Sequence, residues 1–163
     1  MVSELGASTQ VEGAQEALYA YWASLRRGGR LPSRADIRPS EIKTFLPMLS
    51  LTEVSGDSRF RIRLAGTGLF GVYGAEITGR TLPEIYAGAA AEYWRRELGA
   101  IVSDRQPAIG VHSLGWRGAP HLSVLWMRLP LAANGEDVDM ILGYDVVLGA
   151  ERSGGFLSGI RAA

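Results

Sequence analysis

Two histidines and one aspartate are the candidates for acid–base chemistry in this chain. The histidines are His112 and His121, and Asp139 lies further along the chain. A histidine or a carboxylate acts as a general acid or base when a pocket holds it against a substrate. A small α+β enzyme of the isomerase or cyclase kind, using Asp139 or His121 in an apolar pocket, is therefore one hypothesis for the function.

Glycines at positions 66, 68 and 71 have the Gly-x-Gly-x-x-Gly spacing and follow a predicted strand. In dinucleotide-binding proteins this spacing lies inside a parallel βαβ unit. Here the strand before the glycines belongs to a predicted antiparallel hairpin. We therefore interpret the stretch Phe60 to Gly74 as a strand followed by a flexible entry to short helices, and as a candidate switch.

Two arginines, Arg61 and Arg63, share one face of that predicted strand. A covered guanidinium needs a partner, because an unpaired buried charge is costly. The arginines either hold an anionic ligand or pair with carboxylates on neighbouring strands. The candidate carboxylates are Glu53, Asp139 and Asp145.

Composition limits the class of protein. The chain has 163 residues, of which 47% are hydrophobic, and its 17 basic and 17 acidic residues give a net charge of zero. These values predict one globular domain, with no overall field toward nucleic acid or anionic lipid. No leader-like segment and no apolar run of membrane-spanning length is present in the sequence, so we expect a cytoplasmic protein that binds neither nucleic acid nor membrane.

A helix is predicted from Gly13 to Arg27 because its apolar residues recur every three or four positions. The preceding segment, Met1 to Glu12, is small, polar and aperiodic, so we predict that it is disordered. The aromatic stripe of the helix must be covered, either by its own domain or by a second copy of the chain. We predict a homodimer whose interface includes Leu18, Tyr21, Trp22 and Leu25.

Five strands are predicted from the alternation of apolar residues, and short helices from three- and four-residue spacing. Two strands come first, then short helices and one longer helix, and finally a three-stranded meander. The predicted strands are 49–55, 60–65, 109–116, 120–131 and 138–148. The predicted helices of the connection are 66–74, 78–86 and 87–104.

The first half of the chain contains a run of short motifs: Tyr21 and Trp22; Gly29, Arg30, Pro32 and Arg34; Asp36, Ile37 and Pro39; Leu46 and Pro47; and Arg63, Gly66 and Thr67. With these motifs the first half resembles a PAS-like family that is widespread in alphaproteobacteria, and the order of the later elements resembles the PAS topology. The resemblance implies an α+β fold with a five-stranded antiparallel sheet and helices on one face. The N-terminal helix would pack on the other face or on a dimer partner.

The residue patterns and the resemblance together divide the chain into a disordered segment 1–12, a helix and linker 13–47, a PAS-like core 48–149 and a tail 150–163. It implies a non-catalytic sensory or regulatory module that binds a small ligand or a protein partner and signals through helix rearrangement. A structural adaptor without a ligand is a further alternative. The downstream signalling protein is not indicated by the sequence.

A cofactor of the types that PAS domains hold is not expected. Haem needs an axial histidine, and the predicted helix 87–104 contains none. The chain has no cysteine, which excludes a thiol-linked flavin, disulfides and thiolate metal sites. A small apolar ligand remains an option, with Arg63 and Thr67 as polar anchors. The predicted pocket residues are Leu64, Phe70, Tyr73, Tyr86, Trp94, Leu98, Trp116, Trp126 and Tyr144.

Overall fold

An antiparallel sheet of five strands forms the centre of the protein, with helical segments on its two faces. The computed structural model describes residues 2–57 and 59–149, with side chains from residue 13 onward. The predicted tail at 150–163 lies outside the described residues. The strands are β1 (Leu49–Val54), β2 (Phe60–Ala65), β3 (Ala108–Leu114), β4 (Ala119–Leu131) and β5 (Met140–Gly149), in the sheet order β2-β1-β5-β4-β3.

The α-helices of the described chain are α1 (Val2–Ser24), α2 (Leu69–Tyr73), α3 (Leu82–Ile85) and α4 (Gly88–Asp104). Short 3-10 turns occur at Arg34–Asp36, Pro39–Glu41, Lys43–Met48 and Gly115–Arg117. No helix in the described part of the chain combines the length and the apolar character that crossing a membrane requires. The predicted α+β architecture, with its five antiparallel strands, is confirmed.

Helix α1 begins at Val2, so helical backbone covers residues 2–12 of the segment that we predicted to be disordered. No proline interrupts the sequence before Pro32. A helix that is fixed by packing near its C-terminus has already been nucleated. It can therefore extend toward the N-terminus by ordering one residue at a time, with one new hydrogen bond for each residue.

Helix α1 packs within its own chain. Leu18 and Trp22 have 0% relative exposure, and Trp22 Nε1 donates a hydrogen bond of 2.9 Å to the carbonyl oxygen of Pro130 on β4. The apolar stripe of the helix therefore covers the face of the sheet that does not carry α2 to α4. Leu18 and Trp22 are not available to a second copy in this packing, so the predicted dimer surface cannot be formed by them.

The linker after α1 is attached to the β4–β5 hairpin. Leu31 N–H donates to Gly135 O at 2.9 Å, and Ala132 N–H donates to Pro32 O at 2.9 Å. The Arg30 guanidinium also donates to the carbonyl of Asn134. This pairing gives a structural role to residues of the predicted family motif.

Gly66 and Gly68 are sites of close backbone packing. A Cβ atom on Gly66 would collide with the carbonyl oxygens of Leu46 and Pro47, and one on Gly68 would lie 2.6 Å from Met48 Sδ. Gly68 N–H also donates to Pro47 O at 2.8 Å. These glycines join the end of β2 to the 3-10 turn at Lys43–Met48 and place α2 on the sheet.

Candidate functional site

A buried ion pair lies between the sheet and the helices α2 to α4. Arg128 of β4 and Asp145 of β5 are 5% and 0% exposed, and Arg128 Nη1 lies 2.6 Å from Asp145 Oδ1. Arg128 Nη2 donates a second hydrogen bond, of 3.2 Å, to Asp145 Oδ2. The sheet provides space for the guanidinium at Gly143, where a Cβ atom would lie 3.0 Å from Arg128 Nη1.

Tyr73 extends this pair to helix α2. Its hydroxyl donates to Asp145 Oδ2 at 2.7 Å and accepts a long contact of 3.5 Å from Arg128 Nη2. Arg117, in the turn between β3 and β4, holds the same helix by donating to Val72 O at 2.6 Å and to Gly71 O at 3.1 Å. Helix α2 is thus attached to the sheet by polar contacts at its C-terminal turn.

We call Tyr73, Asp145 and Arg128 the buried triad. Within it, Tyr73 and Arg128 keep their protons over the physiological range. Burial and the Asp145 carboxylate raise the pKa of Tyr73 well above its ordinary value, so its hydroxyl stays protonated and donates. Burial by itself lowers the pKa of Arg128, but the Asp145 carboxylate and the tyrosine hydroxyls outweigh it, and the pKa is raised. The Tyr73 hydroxyl and the Arg128 guanidinium are therefore suited to holding structure and unsuited to exchanging protons near neutrality.

Aromatic rings surround the triad. The Arg128 guanidinium carbon lies 4.9 Å from the ring centroid of Trp94 and 5.9 Å from that of Trp126, distances at which a cation is attracted to a ring face. Tyr86 stacks on Trp94 at 5.8 Å and meets Trp116 edge to face at 4.7 Å. The predicted pocket residues that the structure brings together here are Tyr73, Tyr86, Trp94, Leu98, Trp116 and Trp126.

Three predicted pocket residues lie elsewhere, and that part of the pocket prediction is wrong. Leu64 is 51% exposed, because a β-bulge shifts the pairing after Thr52↔Ile62 to Leu51↔Leu64 and turns Leu64 to the other face. Phe70 is 58% exposed, since the buried side of the five-residue helix α2 is formed by its other large side chains. Tyr144 precedes Asp145 in β5 and so faces the opposite side of the sheet, where it meets Phe45.

The predicted polar anchors are outside the interior. Arg63 is exposed and pairs with Glu53 at 2.5 Å, one of the carboxylate partners that the sequence offered. Thr67 is exposed as well. Arg61 donates to the carbonyl of Gly79 at 2.9 Å, and no carboxylate among the described side chains accepts a hydrogen bond from it.

The residues of the enzyme hypothesis are not assembled into a site. His121 and Asp139 are both exposed, and Asp139 accepts a hydrogen bond from Ala133 N–H in the β4–β5 hairpin. Within residues 2–57 and 59–149, no cluster of histidine and carboxylate side chains is suited to hold a metal ion.

Sequence reasoning missed Arg128 and considered Asp145 only as a partner for Arg61 or Arg63. The signal was present: Arg128 is a charged residue inside the otherwise apolar segment Val124 to Leu131. A charge at such a position is rarely buried without a partner. The opposite charge on the next strand, Asp145, was the candidate to test.

A surface groove lies beside the aromatic cluster, between α4 and β3. Its volume is about 530 Å³, and it is lined by Ala87, Ala89, Ala90, Tyr93, Arg96, His112, Ser113 and Trp116. Tyr93 and His112 stack with ring centroids 4.1 Å apart. Burial lowers the pKa of His112, so its imidazole is neutral at pH 7. The groove connects to the interior because Trp126 Nε1 donates to the Tyr93 hydroxyl at 3.0 Å.

The comparison with family models decides the family. The PAS domain model matches residues 11–146. This chain belongs to the PAS domain family. A search of the curated proteins finds no match to the chain.

Solved structures show the same fold. The PAS domain of BvgS from Bordetella pertussis aligns with a TM-score of 0.52 and 15% identity, covering 73% of this chain and 93% of that one. The light state of the Aureochrome1 LOV domain, a blue-light photoreceptor, aligns with a TM-score of 0.52 and 12% identity over 73% of this chain and 94% of its own. A PAS domain from Colwellia psychrerythraea aligns with a TM-score of 0.50 and 12% identity, covering 68% and 95%.

Proposed function

We propose that this PAS domain is a non-catalytic sensory or regulatory module that binds a small ligand or a protein partner and signals by rearranging its helices on the sheet. The observation that carries the proposal is the buried triad, which ties helix α2 to β4 and β5 through Tyr73. Membership of the PAS family and the likeness to the PAS domain of BvgS and to a photoreceptor domain support a regulatory role.

The triad favours two discrete arrangements over a graded response. Both carboxylate oxygens of Asp145 accept hydrogen bonds when Tyr73 is seated, whereas withdrawal of Tyr73 leaves Asp145 Oδ2 without one of its two donors in a medium of low dielectric. Helix α2 has only five residues, and its C-cap Gly74 has a left-handed backbone with φ of 70°. A short helix between glycines, held at a few points, is an element that a ligand or partner could shift.

Side chains fill the space between the sheet and the helices. Tyr73, Tyr86, Trp94, Trp126 and Arg128 are all buried there, so a flavin or a haem does not fit without displacing them. The chain also offers no cysteine for a thiol bond to flavin and no histidine on α4 for haem. The proposal therefore assigns no flavin or haem to this domain. A bacterial and cytoplasmic setting and a homodimeric state, both expected from the sequence, are part of the proposal.

The coupling of α2 to the triad is tested by hydrogen exchange with mass spectrometry on Tyr73→Phe. We expect faster exchange in residues 66–74, because the variant loses the bond to Asp145 and α2 opens more often. The matched control is Tyr144→Phe, which removes the same atom from a buried tyrosine on the other face of the sheet. Unchanged exchange at 66–74 in Tyr73→Phe, or equal acceleration in both variants, would contradict the proposal.

A further inference from the structure

We propose that the groove between α4 and β3 is a binding site for a small aromatic monocarboxylate. This proposal rests on the regulatory function proposed above and deepens it by naming the class of signal. The site is distinct from the interior pocket that the sequence predicted, because that interior is filled by the buried triad and the aromatic rings around it.

The dimensions and the surface of the groove suit a flat ligand. Its volume of about 530 Å³ lies within the range of small-molecule sites. Alanines 87, 89 and 90 line the α4 side and leave room for a ring, while Tyr93, His112 and Trp116 supply aromatic surface. Aromatic side chains hold a planar ligand by stacking and edge contacts.

The charge of the groove selects a single negative group. Arg96 is the cation of the lining, and no hydrogen bond or ion pair engages its guanidinium within the described residues. Its neighbour Arg95 is instead paired with Glu92, at 2.6 Å. Arg96 interacts with Glu92 electrostatically, but the hydrogen bonds of that carboxylate go to Arg95. The Arg96 guanidinium can therefore bind a ligand carboxylate through two parallel N–H donors.

His112 adds no second positive charge, since burial keeps its imidazole neutral at pH 7. Burial, helped by the negative charge of Glu97, raises the pKa of the Tyr93 hydroxyl, but Glu97 does not line the groove. One guanidinium beside a neutral aromatic wall matches a monocarboxylate better than a phosphate dianion, which would need further donors.

Contacts lead from the groove to the buried triad. Tyr93 lines the groove, and its hydroxyl accepts the Trp126 Nε1 hydrogen bond. Trp126 in turn lies beside the Arg128 guanidinium. A ligand that shifts Tyr93 therefore changes the surroundings of the same arginine that holds Asp145 and, through it, Tyr73.

The test is calorimetric titration of the whole chain with salicylate at pH 7.5, with salicylamide as the uncharged analogue and acetate as the carboxylate without a ring. We expect salicylate to bind and both analogues to bind at least tenfold more weakly. Arg96→Gln should weaken salicylate binding by tenfold or more, while the matched variant Arg95→Gln leaves it unchanged. Circular dichroism of both variants confirms that they are folded.

Several results would overturn this site. These are no heat of binding for salicylate at millimolar concentration, equal binding of salicylamide, or equal losses in the two arginine variants. The failure of the groove can be told from a failure of the regulatory function, because hydrogen exchange of Tyr73→Phe needs no ligand. Accelerated exchange at 66–74 in Tyr73→Phe, together with no binding of salicylate, would refute the proposed ligand site and leave the proposed regulatory function standing.

Discussion

Replacing Asp145 by asparagine probes the buried triad with almost no change in volume. The variant keeps the shape of the side chain and removes the charge that faces Arg128 at 2.6 Å. Arg128 is 5% exposed, so its guanidinium cannot turn to water without unpacking the rings around it. Breaking a buried pair by removing one partner costs about 3 to 5 kcal/mol, because the remaining charge stays buried.

Urea unfolding measures this cost. With a slope of about 2 kcal/mol per molar urea, a loss of about 4 kcal/mol lowers the unfolding midpoint by about 2 M. The control is Glu53→Gln, which breaks the exposed pair with Arg63. Exposed pairs contribute about 0 to 1 kcal/mol, so the midpoint of the control should fall by less than about 0.5 M.

A double variant separates the lost charge from lost packing. Asp145→Leu with Arg128→Met removes both charges, and replacement of a buried pair by apolar residues is often neutral or stabilising. We therefore expect the double variant to be more stable than Asp145→Asn. If Asp145→Asn and Glu53→Gln lower the urea midpoint equally, the Arg128–Asp145 pair is no more costly to break than an exposed pair. That result would refute the buried character of the pair.

Two further predictions concern Trp22 and His112. Trp22→Ala should lower the free energy of unfolding by about 3 to 5 kcal/mol and leave the mass in solution unchanged, because Trp22 is buried in its own chain. If sedimentation instead showed that the variant dissociates a dimer without losing stability, this prediction would be contradicted. Burial lowers the pKa of His112, so its contribution to stability is full above its unfolded value of about 6.5 and is lost as the pH falls from there through the folded pKa. Thermal unfolding should therefore show a smaller loss of stability between pH 7.5 and 5.5 in His112→Gln than in the wild type or in the exposed-site control His121→Gln. Identical pH profiles in the three proteins would show that His112 makes no such contribution.

The order of the secondary structure could be predicted from the sequence because alternation and three- or four-residue spacing are local signals. Strand β2 has the predicted bounds, Phe60–Ala65, and α4 begins one residue after the predicted start. The direction of Leu64 could not be predicted, since it depends on the bulge opposite Leu51 and Thr52. A bulge is a property of two paired strands and leaves no pattern in one of them.

The candidate site was predicted only in its aromatic part. Large aromatic residues on inward positions are visible in a sequence, whereas the pairing of Arg128 with Asp145 depends on the register of β4 against β5, in which Trp126 faces Asp145. The family motif gave no site either, because Arg30 and Pro32 hold the linker to the β4–β5 hairpin. Its residue Gly66 joins β2 to the 3-10 turn at Lys43–Met48, so these motif residues have structural roles.

The central claim is that helix α2 moves between two arrangements governed by the buried triad. Amide relaxation-dispersion NMR of residues 66–74 in the wild-type protein tests this most directly, because it detects a minor state that exchanges in microseconds to milliseconds. The account predicts dispersion at these amides that increases in Tyr73→Phe and is unaltered in Tyr144→Phe. Flat profiles at 66–74 in all three proteins would contradict it.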